Sequence, residues 1–187
     1  MNKMNLANRI TIARILLIPF FIASIFYYKP ETQFLRFLPA IIFGLSMTTD
    51  AVDGFIARVL KQKTQLGTIL DPIADKLLLS TAFICLSMVN NLPPFFRLPP
   101  WVTIIVISRD IIIILGCVII HHLKGAIDIR PTVLGKVTTF SQMITIISVL
   151  LHFHYSYVAW NVAVVFTILS GIEYVMIGSK MMNDREK

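Results

Sequence analysis

Residues 41–80 read IIFGLSMTTDAVDGFIARVLKQKTQLGTILDPIADKLLLS, and the fold turns on how this stretch is understood. Two apolar runs are joined by a short basic, polar segment, Arg58 to Thr64. Four carboxylates, Asp50, Asp53, Asp71 and Asp75, stand at the facing ends of those runs. The surrounding chain of 187 residues is 56% hydrophobic and only 14% charged, whereas soluble domains carry about 25% charged residues. A water-soluble fold could not hide this much apolar surface, so a lipid solvent is the simplest reading. In lipid each central carboxylate costs roughly 2.5–3.5 kcal/mol on insertion scales. Four together also repel one another, and something cationic must offset them.

Working outward, the apolar runs predict six spans, at 13–28, 35–57, 68–90, 101–121, 134–153 and 157–179, each near the ~20 residues a bilayer-crossing helix needs. The breaks carry turn chemistry: Lys29-Pro30-Glu31, Asn90-Asn91-Leu92-Pro93-Pro94, Pro99-Pro100, the polar stretch His121 to Pro131, and a tight link around His154-Tyr155-Ser156. The expected fold is all-α, a polytopic membrane protein with six transmembrane helices forming a single domain over 1–187. The first run is read as a retained helix, since no small-residue cleavage site stands out and further spans follow it. Asn2 to Arg14 mixes apolar and basic residues and is read as an N-terminal interfacial helix ahead of the first span.

The net charge of +7 comes from lysines and arginines placed between the apolar runs. Twelve of the 17 fall on one side of the expected spans, three (Lys29, Arg36, Arg97) on the other, and Lys76 and Arg109 near or inside spans. This bias places both termini in the cytoplasm. It also argues against nucleic acid as a partner, because the basic residues are dispersed as topology signals and headgroup contacts. Cys85 and Cys117 lie inside apolar runs without ligand spacing and are read as packing residues.

At ~100° per residue, Asp50 and Asp53 lie about 60° apart on a helix, while Asp71 and Asp75 are stacked at i and i+4. The short link predicts that the two helices are antiparallel neighbours, so the four carboxylates converge at their cytoplasmic ends. Oxygen ligands without nearby His or Cys favour Mg²⁺ or Mn²⁺. Four carboxylates suit two ions, the arrangement that clamps phosphoryl oxygens in a displacement. Gly54 and Ala57 share the face of Asp50 and Asp53 and remove bulk where a nucleotide could approach backbone. Gly67 permits a close contact, and Arg58 and Lys61 can meet phosphate charge.

The pattern Asp50-x-x-Asp53-Gly54-x-x-Ala57-Arg58-x8-Gly67-x3-Asp71-x3-Asp75 resembles, at every position and gap, the signature of the CDP-alcohol phosphotransferase family. The resemblance extends to six membrane helices with the signature across the second and third. It implies that Asp50, Asp53 and Asp71 bind metal, and that Asp75 faces a metal and acts as general base on the acceptor hydroxyl. It also implies that Gly54, Arg58 and Thr64 sit against the CDP moiety, and that the pyrophosphate of a CDP-linked alcohol is broken with release of CMP. Family members are often dimers, which makes a homodimer one expected assembly.

Features outside the signature resemble the branch of this family whose donor is CDP-diacylglycerol and whose acceptor is sn-glycerol 3-phosphate. Asn8-Arg9-Ile10-Thr11-Ile12-Ala13-Arg14 is similar to that branch's Pro-Asn-x-x-Thr-x-x-Arg opening, with Ala7 in place of proline. Asn8 and Thr11 thereby join Gly54, Ala57, Arg58, Thr64 and Gly67 as expected CDP-diacylglycerol contacts. Ser108-Arg109-Asp110 is similar to an Arg-Glu pair. Gly135-Lys136-Val137-Thr138-Thr139 with Gln142 is similar to a Gly-Lys-x-Lys-Thr-x-x-Gln stretch, with Thr138 where lysine is usual. Arg109, a cation inside an apolar run, needs a partner. An acceptor phosphate is one candidate, and a structural ion pair with Asp110 or Glu173 is the other. Lys136 is read either as a second phosphate contact or as an ordinary cytoplasmic flank.

The resulting expectation is an enzyme of a bacterial cytoplasmic membrane with its active site on the cytoplasmic face. The alternative acceptors are phosphatidylglycerol and an inositol phosphate. A non-enzymatic cation transporter would instead spread acids through the membrane depth and over more helices than two.

Overall fold

Backbone polar groups in a lipid solvent have to be satisfied within their own segment, and the apolar runs accordingly form helices. The computed structural model contains α1 (Leu6–Phe26), α2 (Leu38–Val59), α3 (Gln65–Met88), α4 (Pro100–Lys124), α5 (Val133–Leu150) and α6 (Ser156–Asn183). It describes residues 6–28, 37–59, 65–89, 96–124 and 132–183; the side chains of 6–10, 50–59, 65–72, 121, 123–124 and 182–183 lie outside the description. No strand occurs among the described residues.

Each of the six expected runs corresponds to one helix. Among the described residues, three stretches are long and apolar enough to cross a membrane: Pro100–Ile120, Val133–Leu150 and Ser156–Met181. Shorter apolar stretches occupy Thr11–Phe26 of α1 and Leu38–Thr49 of α2. The described part of the interfacial segment expected over Asn2 to Arg14 is not separated from the first span by a break. From Leu6 onward the chain is one unbroken helix through Pro19. Thr11 and Arg14 are buried, at 0% and 1% exposure, while Ile12 between them is exposed, so one face of this part of the helix packs against protein.

Polarity is distributed inside out. Large apolar side chains face outward, among them Ile104, Leu115, Val118 and Met176, while Ser46, Thr103, Arg109, Asp110, Thr138, Gln142, Thr145, Thr167 and Ser170 are buried. A membrane protein follows this pattern because lipid competes for apolar surface but offers polar groups no partner. The apolar core runs through Phe21, Phe43, Leu78, Phe83, Leu86, Val102, Val106, Ile146 and Val149. α1 packs against both α2 and α3, and α5 touches the same two. The direct pairing of α2 and α3 is expected where they are joined, and the link at 60–64 and the side chains at 50–59 and 65–72 lie outside the described residues. Phe21 of α1 meets Phe43 of α2 with ring centroids 5.8 Å apart.

α5 and α6 form an antiparallel pair sewn by hydroxyls. The Thr138 hydroxyl is shared between the Leu134 carbonyl at 2.8 Å and the Phe166 carbonyl of α6 at 2.9 Å. Gln142 Nε2 donates to Thr167 Oγ1 at 3.1 Å. The ends are capped locally. Thr132 Oγ1 accepts from the Gly135 N–H at 3.0 Å, an N-cap. At the other end Phe153 N–H bonds Ser148 O at 2.8 Å and His152 N–H bonds Val149 O at 3.0 Å, with His152 at φ 53°. This is a Schellman stop, and it ends α5 at Leu150 rather than at the expected residue 153. His152 then stacks on Phe96 at 4.9 Å and meets Tyr28 edge-on at 6.2 Å. The ends of α1 and α5 and the approach to α4 are thus gathered at one end of the bundle, as alternating spans require.

Candidate active site

The signature falls on the last turns of α2 and the first turns of α3. Asp50 and Asp53 are one turn apart within a continuous α2, and Asp71 and Asp75 one turn apart within a continuous α3. The expected helical spacing is therefore present in the backbone. The side chains of Asn8, Asp50, Asp53, Ala57, Arg58 and Asp71, together with Gly54 and Gly67, lie outside the described set, as does Thr64 altogether. No group of three metal-ligating residues forms among the described side chains. Asp75 is described: it is partly buried, directly after the fully buried Ala74. The donor chemistry still suits a hard divalent ion, since the four positions offer carboxylate oxygens only.

Next to Asp75, a charged cluster ties three helices together. Lys76 of α3 forms an ion pair with Oδ1 of Asp110 on α4. The same oxygen accepts from Arg109 Nη1 at 2.8 Å. Arg109 Nη2 donates to Ser170 Oγ of α6 at 2.5 Å, and the guanidinium lies 5.5 Å from the centroid of the Tyr174 ring, a cation–π distance. Gly171 lies beside the arginine stem, where a Cβ would stand 3.5 Å from Arg109 Cγ, an ordinary contact. Arg109 and Asp110 are only 6% and 7% exposed, and Arg109 Nε is buried with no hydrogen-bond partner among the described residues. Of the two carboxylates weighed for Arg109, the ion pair is made by Asp110. Glu173 Oε2 is buried with no hydrogen bond among the described residues.

Tyr174 connects this cluster to the start of α5. Its hydroxyl accepts from the Thr132 N–H at 3.4 Å, and a Cβ on Gly135 would stand 3.2 Å from it. Lys136, one turn into α5, is exposed. It lies on the element that Tyr174 bridges to Arg109, although no described contact joins the two cations. Thr138 and Gln142 are buried in the α5–α6 seam. They serve packing there and are not part of an open phosphate site. Sequence reasoning missed the roles of Lys76, Ser170 and Tyr174. Lys76 had a signal, because a lysine and an arginine inside apolar runs call for a carboxylate inside a run, and Asp110 is one. Ser170 had none of comparable strength.

The family model described as CDP-alcohol phosphatidyltransferase matches residues 4–169. Over 187 aligned residues, the chain is 37% identical to the CDP-diacylglycerol–glycerol-3-phosphate 3-phosphatidyltransferase of Bacillus subtilis, covering 91% of this chain and 93% of that protein. It is 33% identical to a probable phosphatidylglycerophosphate synthase of Mycobacterium tuberculosis, over 91% of this chain and 80% of the other. It is 32% identical to the Escherichia coli K12 protein that carries the same name as the Bacillus one, over 92% of this chain and 94% of the other.

Proposed function

Because this chain belongs to the CDP-alcohol phosphatidyltransferase family and is an enzyme of that class, we propose that it moves a phosphatidyl group from CDP-diacylglycerol to sn-glycerol 3-phosphate. The products are phosphatidylglycerophosphate and CMP, and the reaction belongs to phospholipid synthesis. The class of donor, a CDP-linked alcohol, is what the signature between Asp50 and Asp75 supports, and the names of the relatives support CDP-diacylglycerol within it. One structural observation carries the acceptor: Arg109 is buried between α4 and α6, and its Nε–H has no partner among the described residues. Of the five N–H donors of a guanidinium, Asp110 and Ser170 take two. A compact phosphate monoester uses such donors well. The names of the bacterial relatives agree with this choice.

In this reading Asp50, Asp53, Asp71 and Asp75 hold two Mg²⁺ or Mn²⁺ ions, which neutralise pyrophosphate charge when bound. Gly54, Ala57 and Gly67 leave room for the cytidine nucleotide, and Arg58, Thr64, Asn8 and Thr11 contact the donor. Asp75 accepts the proton of the acceptor's primary hydroxyl. That oxygen forms a bond to the phosphatidyl phosphorus as the bond to CMP breaks. Arg109, with Lys136 at the start of α5, binds the phosphate of the acceptor and thereby aims its far hydroxyl. All six helices cross a bacterial cytoplasmic membrane, with both termini and the site on the cytoplasmic side.

A panel assay tests the proposal. Purified protein receives CDP-diacylglycerol, Mg²⁺ or Mn²⁺, and one of sn-glycerol 3-phosphate, phosphatidylglycerol or an inositol phosphate. CMP release is expected with glycerol 3-phosphate. Release only with one of the others would replace the acceptor, and silence with every acceptor would remove the enzymatic reading.

A further inference from the structure

Arg109 does not reach its partners by default. Neighbouring residues on a helix point about 100° apart, so the pairing of Arg109 with Asp110 requires the arginine side chain to bend back across α4. Asp110 holds Nη1 at 2.8 Å, Ser170 holds Nη2 at 2.5 Å from a different helix, and Tyr174 lies against the guanidinium. Two hydrogen bonds from opposite elements and one ring contact fix both the position and the plane of the group. The cluster is nevertheless incomplete. Asp110 Oδ1 is shared by Lys76 and Arg109, and the buried N–H donor at Arg109 Nε has no hydrogen-bond partner among the described residues. Buried donors are nearly always satisfied, so the arrangement lacks an acceptor atom that the described protein does not supply. A helix clamp alone does not require the open donor.

The geometry points to Asp110 and Ser170 as positioning residues: they hold the Arg109 guanidinium so that its remaining N–H donors receive the phosphate of the acceptor. This rests on the reading that the acceptor is a phosphate monoester. Asp110 does a second thing with the same oxygen. It ties Lys76, the residue after Asp75. The helix that carries the base and the helix that carries the phosphate-binding cation are thereby held in one register. An acceptor whose hydroxyl and phosphate are a fixed length apart needs that register to be constant.

The test uses the purified full-length protein in mixed micelles and the variants Asp110→Asn, Asp110→Glu and Ser170→Ala. Asp110→Asn is expected to raise the KM for sn-glycerol 3-phosphate about tenfold or more, as loss of a charged hydrogen bond implies, while the KM for CDP-diacylglycerol stays within about twofold. Ser170→Ala moves the same constant in the same direction by a smaller factor. Asp110→Glu, which keeps the charge, recovers part of the loss. Inorganic phosphate, used as a competitive probe of the subsite, weakens in parallel with the KM in each variant. A fall in kcat with KM and phosphate inhibition unchanged would show a structural clamp and overturn the proposal, and so would an equal rise in both KM values. If Asp110→Asn does not fold, Ser170→Ala decides: an unchanged glycerol 3-phosphate KM there overturns it. A wild-type enzyme that ignores glycerol 3-phosphate removes the acceptor reading and this inference together. A wild-type enzyme that uses it, with no split in the variants, removes this inference alone.

Discussion

The proposal gives Asp75 and Arg109 different work. Asp75 is a partly buried carboxylate whose sequence neighbour, Lys76, is held by Asp110. If Asp75 is the base, Asp75→Asn lowers CMP release by about 10²–10⁴-fold while titration calorimetry still finds CDP-diacylglycerol bound. Loss of donor binding would instead make Asp75 chiefly a metal ligand. Arg109 has a planar fork held by Asp110 and Ser170. Lysine keeps the charge but not the fork, so Arg109→Lys should raise the glycerol 3-phosphate KM about tenfold in steady-state kinetics. The aspartates were legible in the sequence because four carboxylates in an apolar context are costly and their spacing is helical. Asp110 was legible only as one of two candidate partners for Arg109. Ser170 was not, because a serine in a membrane helix is as readily a packing residue, and its partner lies 61 positions away.

The six helices could be read from their apolar runs, but their ends depended on caps that hydrophobicity does not report. α5 stops at Leu150 because His152 adopts a left-handed conformation and the following N–H groups turn back onto the last carbonyls. α1 starts at least as early as Leu6 because its polar Thr11 and Arg14 are taken into the protein interior. The pairing of α2 and α3 expected from the link at Arg58 to Thr64 falls on residues whose side chains lie outside the description. α1 is apolar along most of its length and so can be buried on more than one side, and it packs against both. Two substitutions test the α5 assignments by thermal unfolding in detergent. Thr132→Ala removes the N-cap and should cost about 1 kcal/mol. Thr138→Ala removes the hydroxyl shared with the Phe166 carbonyl and should cost about 0.6 kcal/mol, the average for a polar contact between membrane helices. Because Thr138 serves the seam, glycerol 3-phosphate KM should stay near wild type in the folded Thr138→Ala protein.

For the whole molecule, the inside-out polarity suits a helical bundle in lipid, and the proposal that its carboxylates meet the cytoplasm rests on the twelve cationic residues on one side of the apolar runs. Reporter fusions at residue 187 and in the link at 61–63 should be active only as cytoplasmic reporters, and one at 91–95 only as an external reporter. The opposite pattern would place the carboxylates on the wrong face for a cytoplasmic nucleotide product. The central claim is that these carboxylates and Arg109 serve one transfer reaction. The direct measurement supplies purified protein with CDP-diacylglycerol and glycerol-labelled sn-glycerol 3-phosphate, and follows label in the lipid extract alongside CMP. One label should enter lipid for each CMP released, the reaction should stop on chelation, and Mg²⁺ or Mn²⁺ should restore it. CMP without lipid label, or transfer that persists in chelator, would contradict the account.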